Sequence, residues 1–200
     1  MQALLTFTHK MDWISHKLGS FIKWLVLAAV LISAGNAIVR KIFDTSSNAL
    51  LEVQWYLFAA VFMLGAGYAF LKNVHVRIDF VSGRLSARTR NWIDIIGILV
   101  FLIPLCAIFI GLGWPLFARA LASSEMSQNA GGLIRWPVYG LIPLGFFLLL
   151  MQSLSELVKR VAFLQGRIPD PLAHDEKSEE ELLLEELQAK ADAAAKGGQA

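Results

Sequence analysis

Charge is scarce in this chain, and cysteine scarcer. Only 17% of its residues are Asp, Glu, Lys or Arg, against 56% hydrophobic, and the mean hydropathy is +0.56. An ordinary soluble domain carries more polar surface than that, so the balance points to a bilayer. The single cysteine, Cys106, rules out an internal disulfide or a thiolate metal cluster, and its apolar neighbours cast it as a small buried side chain. A formal net charge of +2 is too small to argue for nucleic acid. There is no Gly-x-Ser-x-Gly, phosphate-loop or zinc motif, so nothing in the sequence supports an enzyme, a metal or a cofactor.

What the sequence has instead is long uncharged runs. Four of them predict membrane spans at about 18–39, 50–71, 93–117 and 136–157, each near the ~20 residues that carry a helix across a ~30 Å hydrocarbon layer. The expected fold is an all-α integral membrane protein of four transmembrane helices, with an amphipathic interfacial segment between spans two and three. An N-terminal segment (1–17) precedes the four-span domain (18–160), and an acidic tail (161–200) follows it, solvated or able to form a short helix around Leu182–Leu187. The first run reads as a retained span, because the basic stretch before it is long and the cleavage pattern after it weak. Within it, Ala29, Ser33 and Ala37 predict a close-packing face, and Lys23 snorkels to the interface.

The second span is the one around which the chain is expected to be organised. Its start, Asp44 to Asn48, is rich in N-cap residues, and Glu52 lies near the positive end of the helix dipole. That placement alone accounts for Glu52; contact with a partner is the other reading. Gly65 and Ala69 let another helix approach closely, where lipid offers no hydrophobic drive to association. Beyond Leu71 comes the strip around His75, Arg77 and Asp79, with apolar residues alternating between them, read as interfacial anchoring. Ser86 offers a cap for the third span, Pro104 a kink, and Gly113-Trp114-Pro115 an interfacial ending; Arg119 to Arg135 then reads as an exposed Gly-rich loop.

Basic residues set the orientation. Eleven lie on one side: Lys10, Lys17 and Lys23, then Lys72, Arg77, Arg84, Arg88 and Arg90, then Lys159, Arg160 and Arg167. Four, Arg40, Lys41, Arg119 and Arg135, lie on the other, which predicts a multi-pass protein with both termini cytoplasmic. Its four histidines, His9, His16, His75 and His174, fall outside the spans, so the helices offer no axial haem ligand and a redox anchor subunit is disfavoured. No ionisable residue falls mid-span, where a coupling ion or substrate site usually has one. Packing faces without an active site describe a subunit.

The order of these features resembles the small membrane subunit (DctQ-type) of tripartite ATP-independent periplasmic (TRAP) transporters. The matching residues are Glu52-Val53-Gln54-Trp55-Tyr56, Gly65-Ala66-Gly67, and above all Asn73 to Phe80, which is similar to that family's His-hydrophobic-Arg/Lys-hydrophobic-Asp signature; Trp92, Asp94, Gly113-Trp114-Pro115, Glu125, Ser127 and Trp136-Pro137 fit as well. The resemblance spans about Trp13 to Arg160 and leaves the acidic tail unexplained. It implies sodium-driven uptake of an organic acid across a bacterial inner membrane, with a large membrane subunit holding the transport sites and a periplasmic binding protein delivering substrate. By the same resemblance, Glu52, Gln54, Tyr56, Gly65 and Ala69 are subunit-interface candidates. His75, Arg77 and Asp79 would fix the cytoplasmic strip, and Glu125 and Ser127 would meet the binding protein. The competing expectation is a self-sufficient homo-oligomeric transporter or channel, for which no embedded acid or polar pore face is evident.

Overall fold

The structure, a computed structural model, describes residues 2–44, 47–73, 85–171 and 187–188. Among the described residues the helices are α1 (Gln2–Phe43), α2 (Asn48–Leu71), α3 (Ala87–Gly97), α4 (Ile103–Ser123) and α5 (Trp136–Leu164). A π-helical turn, Ile98–Leu102, joins α3 to α4 in one continuous span. Four helices are thus long and apolar enough to cross a membrane, as the uncharged runs require. His75, Arg77 and Asp79, the middle of the expected interfacial segment and most of the acidic tail lie outside the described residues.

Local chemistry sets the boundaries. Ser47 caps α2, accepting from the Leu50 amide at 3.4 Å, and Ser86 caps α3, accepting from the Thr89 amide at 3.3 Å. The first helix starts at Gln2, well before the apolar run begins, and its 42 residues extend about 63 Å at 1.5 Å each. Pro104 has no N–H for the carbonyl four residues back, and the chain answers with the wider turn: the Ile103 amide donates to the Ile98 carbonyl, five residues away. Contrary to the interfacial ending expected at Gly113-Trp114-Pro115, α4 continues through Pro115 to Ser123 and stops at Ser124, which takes a left-handed φ of 49°. A proline costs one hydrogen bond, which the apolar packing on either side outweighs.

The hub is α5, and in this the sequence expectation, centred on α2, is corrected. Along its length α5 meets every other helix, whereas α4 packs on α5 with little or no contact to α1 or α2. Glycines set the close approaches. A Cβ at Gly145 would fall 2.7 Å from the Met63 carbonyl oxygen of α2, and one at Gly113 of α4 would fall 3.0 Å from Ile142. Between α4 and α5, Phe109 and Phe146 stack with centroids 4.5 Å apart. Gly65 faces Ile22 of α1, and Gly67 is buried between Ser15 of α1 and Leu148 and Gln152 of α5. Both glycines therefore serve packing inside the chain. On α1 the seam runs through Met11, Ser15, Gly19, Ala29 and Asn36; Ala37, expected on it, is exposed. With 3.6 residues per turn, a strict four-residue repeat drifts off the face, and Asn36 takes the place.

Candidate functional site

Two polar constructions stand at opposite ends of this bundle. At the loop end, residues 125–135 fold back on themselves: Met126 and Ile134 form an antiparallel bridge, the Ser127 amide donates to the Leu133 carbonyl at 2.8 Å, and the Arg135 amide to the Glu125 carbonyl at 2.8 Å. The turn closes through the Gly132 amide and the Asn129 carbonyl at 2.9 Å, with Gly131 at φ 70°, a conformation that suits glycine. This loop is clasped to α2 by Glu52. One carboxylate oxygen accepts from the Ser127 hydroxyl and from Asn129 Nδ2 at 2.7 Å; the other accepts from the Leu133 amide at 2.7 Å. Asn48 Nδ2 donates to the Ala130 carbonyl and Tyr56 Oη to the Ile134 carbonyl, adding a bond on either side.

Glu52 is thus only 4% exposed and lies past the first turn of α2, so its partners are the loop's donors and not the helix's own amides. Ser127 is turned inward onto it. Of the other interface candidates, Gln54 is half-buried with no side-chain hydrogen bond to a described residue, and Tyr56 is committed to the loop. Glu125 is half-buried and pairs with Arg135 at 3.3 Å; Arg135 also donates to Tyr139. The Tyr139 hydroxyl, then Glu125, hold the Arg135 guanidinium above its usual range, so it stays charged. A cavity of about 450 Å³ opens beside the clasp, lined by Glu52, Trp55, Tyr56, Asn129, Arg135 and Tyr139.

The other end was missed by sequence reasoning. Here α5 presents Gln152, Glu156 and Arg160 at four-residue steps, and all three are buried. Ser15 of α1 donates to Gln152 Oε1 at 2.7 Å, while Gln152 Nε2 donates to Asp12 at 3.0 Å. Lys159 bridges Asp12 at 3.0 Å and Glu156 at 2.5 Å. Arg160, 1% exposed, completes the chain: it donates to Glu156 at 2.7 Å and to Asp94 of α3 at 3.0 and 3.2 Å. Three helices are thereby joined by charge-assisted bonds, the strong class. A signal was present: the Gln152, Glu156, Arg160 spacing is a one-sided polar stripe. Because Gln152 carries no charge and the others sit at a span's end, a search for embedded charge passes over it. Among the described residues, no group of three His, Cys, Asp or Glu side chains is placed to hold a metal.

Both constructions close on themselves, and nothing in either arranges a nucleophile or an acid–base pair toward an open site. Apolar surface, in contrast, is left open: Trp55, Phe58 and Phe62 of α2 are 63%, 41% and 72% exposed, and the third span exposes Ile96 of α3, Phe101 of the π-helical turn and Leu112 of α4. No curated protein and no solved structure matches the chain. Residues 12–163 match the family described as tripartite ATP-independent periplasmic transporters, DctQ component, a stretch that takes in the clasp, the polar network and all four spans. This chain belongs to that family and is a multi-pass small permease subunit of a TRAP transporter.

Proposed function

We propose that this subunit scaffolds a large transport subunit and helps dock a periplasmic binding protein during sodium-driven uptake of an organic acid. It acts in the bacterial inner membrane with both termini cytoplasmic, the orientation that the distribution of Lys and Arg supports. One observation carries the reading: the buried polar groups of the clasp and the network are used to rigidify the chain itself, while broad apolar faces stay uncovered. A transport pathway wants polar groups facing a conduit. A scaffold wants a stiff core and a sticky surface.

In this reading Gln54, beside exposed Trp55, Phe58 and Phe62, marks the face offered to the large subunit. Glu52 and Tyr56 act by holding the 125–135 loop in shape, and Gly65 and Ala69 by letting helices close up. Glu125 meets the binding protein directly, and Ser127 does so through its hold on Glu52. His75, Arg77 and Asp79 anchor the cytoplasmic strip. The test is uptake of a radiolabelled organic acid, chosen by thermal-shift screening of the partner binding protein, into proteoliposomes under a sodium gradient. Uptake should require this chain, the large subunit and the binding protein together. Solute movement by this chain alone would sink the scaffold reading.

A further inference from the structure

The first half of α1 has two unlike sides. Thr8, Met11, Ser15 and Gly19 face the bundle, and Asp12, the single acid in residues 1–43, is drawn inward onto Lys159 and Gln152. On the opposite side, at three- and four-residue steps, stand Lys10, Trp13, Lys17, Phe21 and Trp24, all exposed; Trp13 is 63% and Trp24 69% accessible. Lys23 is exposed on the flank. No described carboxylate pairs with Lys10, Lys17 or Lys23. The Lys17 ammonium instead lies 5.8 Å from the centre of the Trp13 ring, which holds it on the outward face.

We propose that this stripe is a binding face for anionic phospholipid, with Lys10 and Lys17 on the headgroup phosphate and the Trp13 indole at the glycerol level beside them. The chemistry is specific to that ligand. Indole is apolar over its rings and a donor at its nitrogen, and so settles at headgroup depth. Long lysine stems lie along apolar surface while their ammonium groups reach phosphate. Sequestering Asp12 in the network removes the one charge that would repel an anion, leaving the face purely basic. Phe21, 51% exposed and one turn beyond Lys17 toward the apolar run, gives acyl chains apolar ground. Because the stripe runs along α1 opposite the seam, it can be filled without disturbing any helix contact within the chain. The leaflet concerned follows from the proposed orientation; the site itself does not depend on it.

The full chain, reconstituted in symmetric phosphatidylcholine bilayers, is probed by electron spin resonance with trace spin-labelled phosphatidylglycerol or phosphatidylcholine. The motionally restricted component should favour phosphatidylglycerol, by about fivefold for each engaged lysine at low salt. Lys10→Gln with Lys17→Gln should lower that preference several-fold, to the level set by the other exposed cations, Trp13→Ala should reduce it, and Lys41→Gln at the far end of α1 should change it far less. All four side chains are exposed, so the variants keep their fold. The proposal is overturned if the wild-type chain shows no preference, if the double variant keeps it, or if Lys41→Gln lowers it as much. It is equally overturned if a photo-crosslinker at position 17 captures the large subunit in the assembled complex in place of lipid.

Discussion

Replacing Arg160 by Met tests whether the buried network is a structural weld. The guanidinium donates to Glu156 at 2.7 Å and to Asp94 at 3.0 and 3.2 Å, and is 1% exposed. Methionine fills most of its volume and supplies none of those bonds. Removing one partner of a buried pair costs about 3–5 kcal/mol, because the other charge is left behind in low dielectric. Two features pull the estimate to the lower end. Glu156 retains Lys159 at 2.5 Å, and the Asp94 side chain is 25% exposed, so water can take part of the guanidinium's place. We therefore expect a loss of about 3 kcal/mol, a factor of roughly 150 in the folding equilibrium at 1.36 kcal/mol per decade. Adding Glu156→Gln removes the carboxylate that has lost one of its two cations, so the double variant should recover about 1–2 kcal/mol relative to the sum of the singles. Steric trapping in lipid bicelles measures these free energies without strong denaturant. If Arg160→Met lies within about 1 kcal/mol of wild type, or if the double variant is additive, the network is not the tie described here.

Other consequences can be checked in the same preparation. Glu52→Ala should release the 125–135 loop, seen as at least about tenfold faster hydrogen exchange at the Leu133 amide. Glu52→Gln should fall between, since the Ser127 hydroxyl and the Asn129 amide can turn to accept from the new amide while Leu133 keeps its oxygen. Gly145→Ala sets a methyl 2.7 Å from the Met63 carbonyl and should cost about 1–3 kcal/mol, measured as thermal stability in detergent, whereas Gly111→Ala meets nothing within 4 Å and should be neutral or slightly stabilising. Glu125→Gln, at a half-exposed pair, should leave stability unchanged while weakening capture of the binding protein by the assembled transporter.

The spans were legible because each is a run of residues that water rejects, and the caps because Ser47 and Ser86 precede them. Which helix lies at the centre was not legible. The glycines of α2 suggest a hub, yet Gly113, Gly140 and Gly145 matter as much, and only the fold shows that they meet around α5. At the candidate site, Glu52 was found by position and its partners were not. Ser127, Asn129 and Leu133 lie about 75 to 81 residues downstream, and nothing local pairs them with α2. The Arg160 network was hidden for another reason. Its charged members stand at the ends of the uncharged runs, so each reads as an ordinary flanking charge until three such ends are brought side by side.

The wide turn at Ile98–Leu102 acts as a phase shift within the third span. One residue advances an α-helix by about 100°, so the additional residue held in that turn rotates α4 relative to α3 by roughly that angle. Upstream of it, Asn91 and Ile95 are buried; downstream, Cys106, Gly113 and Ala120 are. On a single undistorted wheel these five positions would all fall within about 60° of one another, so it is the wide turn that sets the two buried faces at an angle. Deleting one residue between positions 98 and 102 would leave the span long enough and apolar enough to insert, but would swing Gly113 away from Ile142 and send a bulkier side of α4 against α5. For this span, the residue count is an angular setting as much as a length.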